Sequence, residues 1–319
     1  MAAADIFASR ARWRWPELAF WACTLLPYAV TPAYLQLASQ IAITALFALS
    51  LDLIVGYAGL VSLGHAAYFG LGSYAAGLLA KHGWGEPLSG LLLAGLVGGI
   101  AGYLSSHVIV RFRHLALIML TLGFGLLLAE AANSAHAITG GADGLQGVRM
   151  GTLLGFKFDL YGRTAYGYSL FTLFLCFLAC RRIIHSPFGL ALRGIRENSV
   201  RMTAIGAPSR AHLRKVYTIS AVLAGIAGGL LAQTTETVSL EVLSFGRSAD
   251  VLVILILGGA GRLYGGLVGA MLYMVARDQF SGVNPQYWYF WIGLLLIGVV
   301  MFLPNGVLGG IGRFLPRRA

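Results

Sequence analysis

Residues 35–55 read LQLASQIAITALFALSLDLIV, an apolar run whose only charge is Asp52 near its end. A helix needs about 20 such residues to cross the hydrocarbon core of a bilayer. Further apolar segments lie at about 17–31, 63–80, 88–110, 114–132, 168–184, 214–233, 248–259, 263–276 and 287–304. Of the 319 residues, 58% are hydrophobic, 43 are glycine and only 11% are charged. A soluble domain carries roughly 25% charged residues. The composition excludes a soluble enzyme, a disordered chain and a disulfide-rich secreted module. It predicts an all-α polytopic membrane protein with about ten transmembrane helices, or eight if 63–80 and 248–259 do not span.

The net charge is +11, from 23 Lys/Arg against 12 Asp/Glu. In a membrane protein, basic residues collect in cytoplasmic loops and set orientation. Arg10, Arg12 and Arg14 precede the first segment, Arg111 and Arg113 fill a short break, and Arg313, Arg317 and Arg318 close the chain. Ten crossings put both termini on the cytoplasmic side, as this bias requires. The connection 133–167 then faces the periplasm and 181–213 the cytoplasm, within a single domain, 1–319. Cys23, Cys176 and Cys180 all lie in apolar segments without His or carboxylate at ligand spacing, so no metal site is expected. The N-terminal residues show no removable signal peptide.

Two stretches resemble one another. LDLIVGYAGLVSLG (51–64) and LVILILGGAGRLYGG (252–266) each follow an apolar run with G-x-A-G-x4-G. The matched glycines are Gly56, Gly59 and Gly64, then Gly258, Gly261 and Gly266, with Gly259 beside them. Two accounts fit: broken helices lining a translocation path, or tight turns between neighbouring helices. Elsewhere Gly95/Gly99, Gly98/Gly102 and Gly225/Gly229 have the four-residue spacing that lets helix backbones touch.

Asp52 is the principal candidate for chemistry. A carboxylate deep in a membrane helix costs about 2.5–3.5 kcal/mol on insertion scales, so it faces the bundle interior and finds a partner. It either lies beside a substrate path or subunit seam, or holds backbone N–H groups of the next helix near the cytoplasmic boundary. Ser62, Gly64 and His65 open the next segment, where Ser62 is placed to cap the helix and His65 reads as a packing residue. Glu130 snorkels at the periplasmic boundary.

No catalytic set is present. None of the three lysines stands in a G-x4-G-K frame, so the chain has no phosphate-binding loop of its own. Uphill transport would draw energy from a partner or an ion gradient. The stretch 181–215 holds eight basic residues and one acid, Glu197. It reads as an apolar–basic helix with Ala191, Leu192, Ile195 and Val200 on one face, ending at Gly206 and Pro208. Such a helix docks on another protein or touches lipid headgroups.

The chain is similar to the branched-chain amino acid ABC transporter permease family, of the LivM type, from about residue 45 onward. The resemblance rests on SLDLIVGYAGLVSLGHAAYFGLGSY (50–74), TGGADGL (139–145), SPFGLALRGIREN (186–198) with AIG (204–206), LGGAGRLYGGLVGA (257–270) and PNGVLGG (304–310). It implies a non-catalytic transport subunit in the bacterial inner membrane. The implied partners are a second homologous permease subunit, two cytoplasmic ABC ATPase subunits that bind ATP and Mg, and a periplasmic solute-binding protein. Beyond the lipid bilayer no other partner is implied, and no nucleic acid. Residues 186–206 become the ATPase-coupling segment, carried by Ser186, Pro187, Phe188, Gly189, Arg193, Arg196, Glu197, Asn198 and Gly206. Thr139, Gly140, Gly141, Asp143 and Gly144 fall outside, as a gate or docking site for the binding protein. Asp52, Gly56, Gly59, Ser62, Gly64, His65, Gly258, Gly259 and Gly261 become candidates for the path. The chain departs from the family pattern at Leu115, at Leu126 and at Leu240–Glu241. Relatives of this shape also import urea, short amides and aromatic acids. A rival of another class is an ion-coupled secondary transporter acting alone.

Overall fold

In the computed structural model, the described residues are 15–30, 34–153, 155, 158–159, 162–303 and 305–314. Every apolar segment of the sequence falls on a helix. In chain order these are α1 (Trp15–Cys23), α2 (Leu26–Val30), α3 (Leu35–Asp52), α4 (Ala66–Lys81), α5 (Pro87–Ile109) and α6 (His114–Ser134). After the short α7 (His136–Thr139) come α8 (Arg163–Ile184), α9 (Pro187–Ala204), α10 (Ser209–Thr235), α11 (Phe245–Gly258), α12 (Gly265–Val283), α13 (Trp288–Phe302) and α14 (Gly306–Phe314). The all-α polytopic membrane fold is therefore as expected.

Among the described residues, six stretches are long and apolar enough to cross a membrane: Leu35–Tyr57, Pro87–Ile109, His114–Ser134, Arg163–Ile184, Ser209–Thr235 and Trp288–Gly310. The other segments expected to cross are helical but shorter or more polar. α4 has 16 residues and α11 has 14, so at 1.5 Å per residue they rise roughly 21–24 Å. Largely irregular connectors at 58–65, 236–244 and 259–264 flank these short helices. Such backbone is tolerated at membrane depth only where protein or water encloses it. The terminal arginines on which the cytoplasmic placement of both ends rests, Arg10, Arg12, Arg14, Arg317 and Arg318, lie outside the described residues.

α3 is the central helix, surrounded by α8, α10, α11 and α12. α10 packs along both α4 and α5. The four-residue glycine spacing accounts for this second seam. A Cβ on Gly98 would lie 2.7 Å from the Ala221 carbonyl oxygen, and one on Gly225 would lie 3.2 Å from Gly98 Cα. Backbone meets backbone there, the contact that small residues permit within a membrane. Buried hydroxyls fasten the same block: Tyr68 donates to Tyr217 Oη at 3.0 Å and pairs with Ser105 Oγ at 2.7 Å. α6 and α13 lie at the periphery and bury few side chains. Leu115 and Leu126, two departures from the family pattern, are exposed on α6.

Arg181, counted above with the basic loop, belongs to the last turn of α8 and is buried. Its Nη1 lies 2.6 Å from Glu17 Oε2 of α1. A buried cation in a membrane domain needs such an opposite charge.

Candidate functional site

The two glycine motifs meet. α3 continues into a π-helical turn, Leu53–Tyr57, and the chain then runs irregularly to α4. The second motif, 259–264, joins α11 to α12. Asp52 Oδ1 accepts a hydrogen bond from the Gly261 backbone N–H at 2.7 Å. A Cβ on Gly56 would collide with Asp52 Oδ1 and lie 2.7 Å from Gly261 Cα. Gly261 has φ +79°, a conformation that suits glycine. Asp52 thus holds backbone, as one of its two sequence readings has it, but the backbone belongs to the other motif rather than to the next helix.

The third member of this junction is α9. Arg196 Nη1 donates to the Gly56 carbonyl, and Gly59 backs onto the Arg196 side-chain methylenes. The Arg196 guanidinium also supplies positive charge near Asp52. Arg193 lies over the Tyr57 ring, 5.3 Å from its centroid. Both arginines are exposed residues whose guanidinium groups reach the motifs.

α9 is built as its sequence suggests, up to Asn198. Ser186 is the N-cap, its Oγ accepting from Gly189 N–H at 3.4 Å, and Pro187 occupies the first turn. Phe188 stacks on His212 at 5.5 Å. Gly189 sits against the Ile184 carbonyl. At Asn198 the backbone leaves helical geometry (φ −153°, ψ 94°), and its Oδ1 accepts from Arg201 N–H at 2.9 Å. The helix is therefore two segments joined at a kink. Leu192 and Ile195 are buried against the domain, but Val200 lies beyond the kink and is 74% exposed, so the single apolar face expected for Ala191, Leu192, Ile195 and Val200 does not extend to Val200. Glu197 is exposed, and Gly206 ends the segment with φ +85° in open space. A cavity of about 400 Å3 lies beside the junction, lined by Gly59, Leu117, Ile195, Arg196, Glu197 and Asn198 among others.

Ser62 does not cap α4. The helix starts at Ala66, four residues on, and the Ala66 N–H is taken by Ser248 Oγ of α11 at 2.9 Å. Gly64 packs against the Thr121 carbonyl of α6, and Gly258 against the Gly265 carbonyl. Gly259 packs 2.7 Å from the Asn305 carbonyl oxygen, measured from where a Cβ would be. His65 is a buried packing residue that stacks on Phe47 with rings 7° apart. Its Nε2 meets Ser50 Oγ at 2.9 Å and Ser220 Oγ at 3.4 Å. Both hydroxyls already donate to carbonyls, Phe47 and Ser50 respectively. Nε2 must therefore be the donor, which leaves the buried Nδ1 as the acceptor nitrogen, with no partner among the described residues.

The TGGADG stretch forms a compact turn at the far end of α6. Thr139 Oγ1 donates to the Ala132 carbonyl at 2.6 Å and accepts from Gly141 N–H at 3.2 Å. Gly140 and Gly144 both take positive φ, and Asp143 is exposed. Leu145 pairs with Val238 of the 236–244 connector through hydrogen bonds of 2.7 and 3.2 Å. Glu130 stands exposed on α6 and accepts from Ser134 at 3.3 Å.

Residues that the sequence expectations passed over are Arg247, Asp250, Arg277 and Asp278. They carry charge into or beside the short segments 248–259 and 263–276 and are all half-buried. Their signal was the occurrence of ionisable residues within apolar segments, which was weighed only for Asp52 and Glu130.

Comparison with known proteins gives the same affiliation as the motifs. Residues 33–300 match the family described as branched-chain amino acid transport system, permease component. The chain is 30% identical over 306 residues to the high-affinity branched-chain amino acid transport system permease protein LivM of Salmonella typhimurium, covering 88% of this chain and 71% of that one. It is 24% identical to the probable branched-chain amino acid transport permease protein LivM of Methanocaldococcus jannaschii, over 82% of this chain and 88% of that one. Similarity extends to the LivH permease protein of Salmonella typhimurium, at 23% identity over 83% and 91% of the two chains. No solved structure matches. This chain belongs to the branched-chain amino acid transport system permease family, and is a membrane-embedded transport permease.

Proposed function

We propose that this permease works in an ATP-driven importer of the bacterial inner membrane and moves branched-chain amino acids or similar small amphiphilic solutes inward. It pairs with a second homologous permease subunit. Two cytoplasmic ATPases bind ATP and Mg and perform the hydrolysis, and a periplasmic binding protein delivers the solute at the TGGADG end. The observation that carries this reading is the position of α9. Its outer side leaves Leu190, Val200 and Ile205 exposed, while Arg196 reaches through to the Gly56 carbonyl. An exposed apolar set rimmed by charge fits a partner surface, and Arg196 gives that partner a grip on both glycine motifs at once.

The test is uptake in vesicles holding the complete transporter, with Arg193→Glu and Arg196→Glu together. Vesicles should retain inserted permease and basal ATPase activity but lose uptake. Normal uptake by this variant would remove α9 from the coupling path. Uptake by the purified single chain under a proton gradient would instead favour a secondary transporter.

A further inference from the structure

A second cavity, of about 300 Å3, opens at the end of the bundle opposite α9. Gln40 and Thr44 of α3 line it, standing roughly 12–18 Å along that helix from Asp52 at 1.5 Å per residue. Ser239 and Glu241 close one side. They belong to the connector whose Val238 pairs with the TGGADGL turn. α12 contributes Arg277 and Asp278, and α11 contributes Arg247.

The charge pattern of this lining is unusual for a membrane domain. Two guanidinium groups and two carboxylates share one small space. Among the described residues, the only ion pair within 4 Å is Glu17–Arg181, so none of these four groups neutralises another at contact distance. Ionisable groups at membrane depth are costly and mark solute pathways. An adjoining space of about 20 Å3 shares Thr44, Met274, Arg247 and Arg277 with it and is also lined by Asp250. It ends on Phe47 and Phe69, whose rings are 4.5 Å apart. Arg247 lies over the Phe69 ring at 5.5 Å, and Phe47 in turn stacks on His65. The adjoining space thus has an aromatic floor.

We propose that this cavity is a binding station for a zwitterionic amino acid on its way through the permease. Arg247 and Arg277 take the α-carboxylate, Glu241 and Asp278 take the α-ammonium, and Met274 with the aromatic floor accommodates an apolar side chain. A volume of about 300 Å3 is at the small end of ligand sites. Paired charges of both signs select against urea and amides, which bring no charge, and against aromatic acids, which bring only one. The proposal rests on the importer reading above and narrows it to a solute class.

Thiol-labelling of the complete transporter in vesicles, with its binding protein present, tests it. Thr44→Cys, and separately Ser281→Cys as a second position in the lining, is exposed to a membrane-impermeant thiol reagent added outside. L-Leucine should slow labelling at least threefold, whereas urea and benzoate should leave it unchanged. In the Arg277→Gln and Asp278→Asn backgrounds, labelling should persist but leucine protection should vanish. Vesicles that take up leucine yet show no protection, or no labelling at either position, would overturn the station and leave the importer reading standing. Protection by urea or benzoate instead of leucine would overturn the zwitterion assignment. Absence of uptake of leucine and of every other solute that its binding protein takes would overturn the importer reading itself.

Discussion

Asp52 and Gly261 are 209 positions apart in sequence and are joined by a 2.7 Å hydrogen bond from the glycine N–H to the aspartate carboxylate. The bond ties the end of α3 to the α11–α12 connector, and Arg196 of α9 bonds to the Gly56 carbonyl beside it. Three elements that would otherwise move separately therefore share one junction.

Removing the acceptor leaves the Gly261 N–H without its partner. A buried donor left unsatisfied costs about 1–3 kcal/mol. Asp52→Ala should lower the thermal midpoint of the purified protein in detergent, while Asp52→Asn, which keeps an acceptor oxygen, should retain most of it. Equal midpoints for the two variants would show that the bond contributes little.

Gly56 has no room for a methyl group, because the atoms it would meet include Gly261 backbone. Backbone cannot swing aside, so Gly56→Ala should cost at least the 1–3 kcal/mol typical of overpacking. Gly123→Ala is the matched control, since nothing lies within 4 Å of its Cβ position. Fluorescence-detected size exclusion should find the first variant aggregated or poorly expressed and the second unchanged.

Val200 near the end of α9 and Ile205 just after it are 74% and 71% exposed. Val200→Asp with Ile205→Asp should leave the permease folded but reduce the ATPase that co-purifies with it by roughly tenfold, about 1.4 kcal/mol of binding. Unchanged co-purification would place the ATPase contact elsewhere.

Glu17 and Arg181 hold α1 against α8. Deleting one partner of a largely buried pair is destabilising, whereas replacing both with apolar residues is often neutral. Glu17→Gln should therefore destabilise the protein more than Glu17→Leu combined with Arg181→Met. The midpoints of the two variants in a detergent melt decide the matter.

Much of this architecture is legible in the sequence because membrane helices announce themselves one at a time. Each apolar segment and the four-residue glycine spacings that mark close packing depend on residues close together in the chain or on a fixed spacing. The junction depends on long-range contact instead. Asp52 shows that it needs a partner, but nothing in the spacing says that the partner is Gly261. The kink at Asn198 escaped periodicity, since a helical pattern continues through it and only the side-chain bond to Arg201 betrays the restart. Ser62 looked like a cap because it precedes an apolar run, yet the irregular stretch after Tyr57 delays the helix to Ala66. The charged cavity was missed for a related reason. Its residues come from α3, α11, α12 and a connector, and each alone reads as an isolated charge near a helix end.

The Gly98–Gly225 seam has a consequence for motion. An interface filled with side chains can accommodate a shift by changing rotamers, but two backbones in contact have no such slack. The block of α4, α5 and α10 is in this sense the stator of the machine. On the importer reading proposed above, rocking would occur against it, in α3, α9, α11 and α12, with the charged cavity and the junction at opposite ends of α3.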